Sequence, residues 1–394
     1  MISNPNTRIV RKPDTQGRAL IVGVDSPVKG SGLRQWSLST ESPADLALLK
    51  AAIPVINGAS NGDRLPADVR ARLIELGILV HRRQVSAPSR LRCDLEALPG
   101  VAIDPDALVL AAGVRFEPTG GVPRLRADPL FVDGLDLDGP TAWVEDPATR
   151  VGFPYRVPAR WTRALARLLD GQPIARVPAA ARTAFHAAGI LVSGDDLRAQ
   201  QRRAAALAGE LRTQMATQQA TAPFDLGIPR LQLRALQRHY RALAAEGWFG
   251  PSTQAPGRVV IHNEAASSFL HRQLGPVVTA LMGSPWRPSY CYLARYHAGA
   301  DLAPHIDRPQ CGFSISLQVE LSPTRDRRHG WPLTIELPPA GDRPRLLEAR
   351  MLDGEGVAFQ GTQLRHWRDP LPAGREGTYL FLHFVDASFE GVLH

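Results

Sequence analysis

The chain of 394 residues has little cysteine, little lysine and no long apolar run. Its three cysteines, Cys93, Cys291 and Cys311, are too few and too widely separated for a disulfide framework or a paired-cysteine zinc site. No run of about 18 apolar residues is present, and the first residues lack the charged, apolar and small order of a signal peptide. We therefore predict a cytoplasmic protein that has no membrane partner.

The positive charge of the chain is carried almost entirely by arginine. The formal net charge is +8, and lysine occurs only at Lys12, Lys29 and Lys50. Such a balance favours acidic partners, among them acidic peptides, nucleic acids and dicarboxylates. Residues 223–394, however, contain 18 arginines against 16 acidic residues. Because this excess is small, nucleic acid is not an expected partner of that region.

The N-terminal half contains one internal repeat. Residues 56–80 and 168–192 align without a gap, and the matching positions include Pro66 with Pro178, Arg70 with Arg182, and Gly-Ile-Leu-Val at 77–80 with the same four residues at 189–192. In each copy a proline begins an amphipathic helix, which a glycine ends before a short apolar strand. We predict two small helix-strand modules, one in residues 1–85 and one in residues 86–194.

Both copies weakly resemble winged-helix modules, which include the small peptide-recognition domains that accompany enzymes modifying ribosomal peptides. A duplicated packing unit with no ligand of its own is the simpler interpretation, and we favour it. After the second copy, residues 195–222 are rich in Ala, Gln and Arg and contain no proline. Because these are strong helix formers, we predict an exposed helical linker there.

Residues 223–394 have a different pattern, with helices first and strands after them. Two helical stretches, 230–248 and 266–283, precede five short runs of alternating apolar and polar residues at 289–296, 313–321, 331–337, 356–360 and 378–385. Short strands separated by Gly and Pro turns suggest a sandwich. We predict an α+β chain whose C-terminal domain is a double-stranded β-helix (jelly-roll) with preceding helices, after an N-terminal mixed α/β region.

A histidine and an aspartate two residues apart, His305 and Asp307, stand at a predicted strand end. Side chains at i and i+2 share one face of a strand, so these two converge. His366 follows 59 positions after Asp307, and in a closed jelly-roll a strand that far along can return beside the first. Two imidazoles and one carboxylate form the facial triad of non-haem Fe(II) oxygenases. We predict these three residues as metal ligands and as the catalytic centre.

The residues around this triad carry a family resemblance. Tyr296 and Gly299 precede the His-x-Asp pair, and Arg375 follows His366 by nine positions. From Tyr290 to its end, the chain resembles the 2-oxoglutarate/Fe(II)-dependent dioxygenases, most closely their prolyl-hydroxylase-like branch. The resemblance implies that Fe(II) is held by the triad and that 2-oxoglutarate and O2 are cosubstrates, with ascorbate as a reductant.

The same resemblance implies a cosubstrate site. Arg375 would bind the distal carboxylate of 2-oxoglutarate, a task that suits the planar fork of arginine. Tyr296 would donate a hydrogen bond to the cosubstrate, and Tyr292, on the same strand face, would line the pocket. Arg365 and Arg368, which flank His366, are the competing arginines. His383, Ser314 and Ser316 could also point inward, but we assign them no role.

The expected reaction is hydroxylation of an amino-acid side chain, in a peptide or protein or in a free amino acid, with release of succinate and CO2. Because Asp307 fills the carboxylate position, halogenation is not expected. Three other functions stay open. A nucleic-acid oxidative dealkylase would use the same chemistry, a non-catalytic jelly-roll could retain the metal alone, and a zinc hydrolase could use the same three ligands with one water.

Overall fold

The structure is a computed structural model, which describes residues 2–3, 7–11, 19–25, 33–56, 65–80, 89–96, 104–123, 132–252, 254–323, 326–340, 343–391 and 393. Within these ranges the N-terminal part contains two small units of the same design. Residues 223–394 form two antiparallel sheets flanked by helices. None of the described helices is both long enough and apolar enough to span a membrane.

Each N-terminal copy consists of a short strand, a three-stranded antiparallel sheet, two helices and a final short strand. Copy 1 contains β1 (Ile2–Ser3), β2 (Thr7–Arg11), β3 (Ala19–Asp25), β4 (Leu33–Ser39), α1 (Pro43–Ile56), α2 (Ala67–Glu75) and β5 (Leu79–Val80). Copy 2 contains β6 (Leu108–Leu110), β7 (Val114–Glu117), β8 (Thr141–Glu145), β9 (Gly152–Arg156), α3 (Ala159–Leu169), α4 (Ala179–Ala187) and β10 (Leu191–Ser193). The predicted helix-strand repeat is therefore confirmed, and it belongs to a larger duplicated unit.

The strand that ends each copy pairs with the strand that begins it. The register pairs are Ile2 with Val80 and Ser3 with Leu79 in copy 1, and Val109 with Val192 and Leu110 with Leu191 in copy 2. Val80 and Val192 are aligned positions of the sequence repeat. The duplication thus extends to the backbone register of strands that the sequence repeat does not include. The resemblance to winged-helix modules stays a prediction.

Proline and glycine mark the ends of the repeated helix in both copies. Pro66 and Pro178 directly precede α2 and α4 and have φ values of −51° and −53°. Gly77 and Gly189 follow the helices with φ values of 74° and 75°. An L-residue with a Cβ is strained in this left-handed region, so glycine suits the turn into the final strand.

The C-terminal region begins with helices and short strands. It continues with eight strands that follow one another without an intervening α-helix. The first group contains β11 (Phe224–Asp225), α6 (Arg230–Ala245), β12 (Gly250–Pro251), β13 (Arg258–His262), α7 (Ala265–Gln273) and α8 (Gly275–Met282). The second contains β14 (Trp286–Tyr296), β15 (Leu302–His305), β16 (Phe313–Ser322), β17 (Leu333–Ala340), β18 (Arg343–Ala349), β19 (Glu355–Phe359), β20 (His366–Arg368) and β21 (Glu376–Asp386).

These strands form the predicted double-stranded β-helix. One sheet has the order β11-β19-β16-β21-β14-β13-β12, and the other has the order β15-β20-β17-β18. Among β14 to β21, the strands β14, β16, β19 and β21 lie in the first sheet and the other four lie in the second. The chain therefore crosses between the sheets as it winds, which is the jelly-roll arrangement. The second helical stretch predicted from the sequence is divided into α7 and α8, because a new helix begins at Gly275 with Pro276 in its first turn.

Alternation along β21 separates the two faces of the larger sheet. Leu380, Leu382 and Phe384 join the apolar core that the helices cover. Tyr379 and Phe381 join a second core, which fills the space between the two sheets. The inner face of the barrel is consequently built from every second residue of its strands.

Copy 2 and the jelly-roll share one apolar core. Trp143 and Phe153 of copy 2 belong to the same buried cluster as Phe269 and Leu274 of the C-terminal region. Gln273 adds a direct link, because its Oε1 accepts a hydrogen bond of 2.8 Å from the backbone of Gly152. The buried residues of copy 1 form a separate cluster within the described ranges.

The helix predicted at residues 195–222 is present as α5 (Gly194–Gln218). Its prediction as an exposed linker is wrong for one side, because Leu207, Leu211 and Met215 are buried in the core that copy 2 and the jelly-roll share. Their spacing of four residues places them on one face of the helix. Because α5 has an apolar stripe, it packs against the shared core instead of being surrounded by solvent.

Candidate metal centre

The three predicted ligands meet at the edge of the four-stranded sheet. His305 ends β15 and His366 begins β20, and the two are direct partners in the antiparallel register. Their rings have centroids 4.4 Å apart. Asp307 follows His305 by two residues, and its Oδ1 lies 3.6 Å from Nε2 of His305 and 3.7 Å from Nε2 of His366. The pairing of β15 with β20 thus brings His366 beside two ligands that precede it by 61 and 59 positions.

Backbone carbonyls hold both imidazoles in one orientation. Nδ1 of His305 lies 2.8 Å from the carbonyl oxygen of Ala303, and Nδ1 of His366 lies 2.9 Å from that of Leu364. A carbonyl oxygen only accepts, so Nδ1 carries the hydrogen in both rings and Nε2 is the atom available to a metal. A second nitrogen bound to a carbonyl or carboxylate is the usual arrangement around metal-binding histidines.

Two hydrogen bonds hold Asp307 in place. Its backbone N–H donates to the carbonyl oxygen of Gly361 at 2.8 Å, and its Oδ2 accepts a hydrogen bond of 3.1 Å from Oγ of Ser314. The remaining oxygen, Oδ1, faces the two imidazoles. Gly361 leaves room for this carboxylate, because a Cβ there would overlap Oδ2 of Asp307.

Charge and burial have opposite effects on the pKa of Asp307. Burial alone would raise the pKa of Asp307, but its attraction to the neighbouring imidazoles of His305, His366 and His383 lowers it to about 2. Burial also opposes protonation of His305, yet the Asp307 carboxylate raises its pKa. The pKa of His366 is lowered, chiefly by burial. At neutral pH the Asp307 carboxylate is therefore ionised. A metal that binds beside it competes with a proton on His305.

His383 on β21 extends the hydrogen bonding behind Asp307. Its Nδ1 lies 2.8 Å from Oγ of Ser314. Because Ser314 uses its one hydrogen on Asp307, Nδ1 of His383 donates. Burial lowers the pKa of His383 to about 4, so its ring is neutral at neutral pH. The Nε2 atom of His383 is buried and has no hydrogen-bond partner within the described structure. Asp307, Cys311 and His383 form a second group with ligand spacing that shares the same carboxylate.

The two predicted tyrosines lie on the inner face of β14. Tyr292 stacks on His262 and Phe381, with ring centroids 5.3 Å and 4.7 Å away. Tyr296 is fully buried, and its hydroxyl accepts a hydrogen bond of 3.1 Å from Nη1 of Arg258. The hydroxyl hydrogen of Tyr296 is left to donate. Both placements are compatible with the predicted pocket, and their roles there stay predictions.

The arginines near His366 differ in placement. Arg375 stands just before β21, and its Nη2 donates to the carbonyl oxygen of Pro323 at 3.1 Å. Arg368 lies inside the barrel and is 1% exposed. Arg365 is exposed. The structure therefore brings the three metal ligands together, and it places Nη2 of the predicted carboxylate-binding Arg375 against the backbone that follows β16.

Three residues of this site had no assigned role in the sequence. Ser314 and His383 share the inner faces of their strands with pocket residues, so strand alternation was the signal that could have identified them. Gly361 had no such signal, because its role depends on the distance to a side chain 54 positions earlier in the chain.

No family model matches the chain, and no curated protein matches it in sequence. Among solved structures, a prolyl-4-hydroxylase from Pseudomonas putida is 22% identical and covers 46% of this chain and 99% of its own, with a TM-score of 0.37. A prolyl hydroxylase from Trichoplax adhaerens, in complex with a hypoxia inducible factor peptide fragment, is 14% identical and covers 50% and 94%, with a TM-score of 0.39. HygX from Streptomyces hygroscopicus, with nickel and 2-oxoglutarate bound, is 11% identical and covers 46% and 88%, with a TM-score of 0.37.

Proposed function

We propose that residues 223–394 form a 2-oxoglutarate- and Fe(II)-dependent dioxygenase that hydroxylates an amino-acid side chain, in a peptide or protein or as a free amino acid. One observation carries the proposal: two imidazole Nε2 atoms lie 3.6 Å and 3.7 Å from one carboxylate oxygen at the edge of a double-stranded β-helix. Two histidines and one carboxylate are the ligand set of non-haem Fe(II) oxygenases.

The residues present suit an iron ion. His305 and His366 each keep Nε2 for the metal by engaging Nδ1 with a carbonyl oxygen. Ser314 engages Oδ2 of Asp307, which leaves Oδ1 as the ligand atom. When bound, Fe(II) with 2-oxoglutarate supplies the activation of O2 and the oxidation of an unactivated C–H bond, with release of succinate and CO2. Ascorbate as a reductant belongs to the same proposal.

The protein itself contributes orientation and access. The ring of His366 is buried, whereas the side chain of His305 is 36% exposed, so the centre is open on the His305 side. Ile306 lies between two of the ligands in the sequence and is 58% exposed. We assign substrate contact to this side. Tyr292 and Phe381 stack with ring centroids 4.7 Å apart and form an apolar wall of the interior.

The two N-terminal copies are our candidates for recognition of a peptide substrate, in keeping with their resemblance to winged-helix modules. Copy 2 is the better placed of the two, because it shares its apolar core with the jelly-roll. The proposed boundaries are residues 1–85, 86–194, 195–222 and 223–394.

The first experiment is an anaerobic titration of the full-length protein with Fe(II) and then with 2-oxoglutarate, which follows the visible charge-transfer band of the chelated cosubstrate. We expect a band in the parent protein and none in His366→Ala. His329→Ala is the matched control, since His329 is an exposed histidine whose ring pairs with Asp326. Tight zinc binding without any band in the presence of Fe(II) would contradict the oxygenase and favour the zinc hydrolase.

A second assay separates the substrate classes. Succinate release is measured with free amino acids and with short peptides as stimulants. Stimulation by peptides alone supports the peptide form of the proposal. Stimulation by single amino acids alone removes it.

A further inference from the structure

A second set of metal-binding groups surrounds the carboxylate of Asp307. One carboxylate oxygen of Asp307, Sγ of Cys311 and one ring nitrogen of His383 all lie within 4.8 Å of one another. Cys311 is 1% exposed and His383 is 3% exposed, whereas the side chain of Asp307 is 14% exposed. The second set therefore lies deeper in the protein than the triad, and it adds a sulfur that the triad lacks.

The connection between β15 and β16 brings these groups together. Asp307 follows the end of β15, and Cys311 ends a short 3-10 helix (Pro309–Cys311) just before β16 begins. Ser314 of β16 is the register partner of His383 on β21. The imidazole from β21 consequently lies beside two groups that are four residues apart in the chain.

The imidazole of His383 has a ring nitrogen that no described residue uses. Its Nδ1 donates its hydrogen to Oγ of Ser314 at 2.8 Å, so Nε2 has the lone pair. Nε2 is the only imidazole nitrogen among the buried side-chain atoms that have no hydrogen-bond partner in the described residues. A buried polar atom without a partner indicates an absent partner, and a neutral imidazole nitrogen is a common metal ligand.

The sulfur of Cys311 is oriented by a hydrogen bond. Sγ lies 3.1 Å from the hydroxyl oxygen of Tyr290, which also accepts a hydrogen bond of 2.7 Å from Nη2 of Arg308. Because Arg308 only donates, the hydroxyl hydrogen of Tyr290 is available to the sulfur. A donor at this position stabilises a thiolate and fixes its direction when a metal binds.

One thiolate, one imidazole and one carboxylate form a different ligand set from two imidazoles and one carboxylate. Zinc binds Cys, His and Asp groups, and it accepts three protein ligands with one water. Thiolate ligands favour zinc and other soft or borderline metals, whereas Mg(II), Ca(II) and Mn(II) prefer oxygen ligands. When the metal–sulfur bond forms, the thiol proton leaves to solvent, and the charges of thiolate and carboxylate balance a divalent cation.

We propose that Asp307, Cys311 and His383 form a second metal site, which takes zinc or a similar divalent cation and competes with the triad for Asp307. The site itself is independent of the reaction, and only its effect on iron rests on the proposed function. A cation held there withdraws Asp307 from His305 and His366. We therefore expect zinc at this site to lower the affinity of the triad for Fe(II) by at least about 10-fold.

Co(II) is the probe for the sulfur ligand, because a cobalt–thiolate bond has a charge-transfer band in the near ultraviolet. The full-length His366→Ala variant is titrated with Co(II) without oxygen, since this change weakens the triad and keeps all three groups of the second site. We expect the band in His366→Ala and its loss when Cys311→Ser is added. No band in His366→Ala, or a band that persists with Cys311→Ser, would overturn the second site.

Two further variants in the His366→Ala background control for folding and for the histidine. Cys291→Ser should keep the band, because Cys291 is equally buried but lies in the core that the helices cover. His383→Phe should weaken Co(II) binding by at least about 10-fold, and parent-like binding would remove His383 from the site. If Cys311→Ser does not fold, Cys93→Ser and Cys291→Ser together leave Cys311 as the only cysteine. The band must then persist, and its absence would overturn the proposal.

The competition for Asp307 is tested with zinc in the parent protein. X-ray absorption at the zinc edge, with one equivalent of zinc, should show a sulfur neighbour at about 2.3 Å. Zinc should also abolish the band of Fe(II) with 2-oxoglutarate at a concentration at least about 10-fold lower in the parent than in Cys311→Ser. Zinc surrounded by nitrogen and oxygen alone, or equal zinc concentrations in both proteins, would overturn the competition.

The second site and the proposed function fail separately. A zinc-free parent protein that shows no band with Fe(II) and 2-oxoglutarate overturns the proposed function. The cobalt–sulfur band is measured without any cosubstrate, so its absence overturns the second site alone.

Discussion

Oγ of Ser314 donates a hydrogen bond of 3.1 Å to Oδ2 of Asp307, across seven positions of sequence. The same oxygen accepts the Nδ1 hydrogen of His383 at 2.8 Å. One hydroxyl therefore orients a predicted metal ligand and a buried neutral imidazole at once. Because each partner has few alternatives in this buried place, the serine is a positioning residue for the centre.

Replacement of Ser314 by alanine should affect both of its hydrogen-bond partners, Asp307 and His383. Oδ2 of Asp307 and Nδ1 of His383 would lose their hydrogen bond, so we expect metal affinity to fall about 10- to 100-fold. The free energy of unfolding should fall by about 1 to 3 kcal/mol, because buried polar groups are left unpaired. Anaerobic Fe(II) titration and urea unfolding measure the two effects. Thr213→Ala removes an exposed hydroxyl that bonds to Gly209, and it should leave metal affinity unchanged and should not lower the free energy of unfolding. Unchanged metal affinity in Ser314→Ala would contradict the positioning role.

Gly361→Ala should displace the Asp307 carboxylate. The added methyl group would overlap Oδ2 of Asp307 and would lie 2.9 Å from both the carbonyl oxygen of Cys311 and Oγ of Ser314. We expect metal affinity to fall about 10-fold or more, since a displaced ligand no longer meets the other two. Gly209→Ala is the control, because a Cβ there meets nothing within 4 Å. That control should bind metal normally and gain about 0.5 to 1 kcal/mol of stability as a helix-interior substitution.

Acid should destabilise the metal-free protein through His383. Burial lowers the pKa of His383 from 6.5 to about 4, so the unfolded chain binds this proton at a higher pH than the folded protein does. The stabilising contribution is complete above pH 6.5 and is lost as the pH falls toward 4. Its size is about 3 kcal/mol by linkage. Urea unfolding at pH 7 and pH 4.5 measures it.

The His383 contribution can be separated from other titrations by substitution. His383→Phe keeps an aromatic ring beside Tyr290 and Tyr292 but cannot titrate. Its stability should fall less than that of the parent between pH 7 and pH 4.5. Asp307 acts in a lower window, because its stabilisation is lost between pH 3.8 and about 2. An equal decrease in the parent and in His383→Phe would show that His383 is not the group responsible.

Removal of copy 1 and removal of both copies should have different effects on the folding of the jelly-roll. Copy 1 has its own buried cluster, whereas copy 2 shares its core with the jelly-roll. We expect that a protein lacking residues 1–88 stays folded and binds metal. A protein lacking residues 1–194 should aggregate, because Phe269 and Leu274 lose their covering residues. Size-exclusion chromatography and metal titration check both, and a monomeric, metal-binding 195–394 fragment would contradict the shared core.

The long alternating strands were predictable, and the short ones were not. The runs that became β14, β16, β17, β19 and β21 show two-residue alternation over five or more positions. β15 has four residues and contains Pro304, and β20 has three. Too few positions are present in either strand to show a period. These two strands nevertheless carry His305, which ends β15, and His366, which begins β20.

By itself, the sequence determined the features that depend on near neighbours along the chain. The His-x-Asp spacing, the helix-strand repeat and the jelly-roll class follow from periods of two and 3.6 residues and from proline and glycine at helix ends. Only the tertiary structure decided that β15 pairs with β20, that Gly361 makes room for Asp307, and that Arg368 is buried without a described acidic partner. Those relationships depend on distances across and between sheets, which no local pattern along the chain encodes.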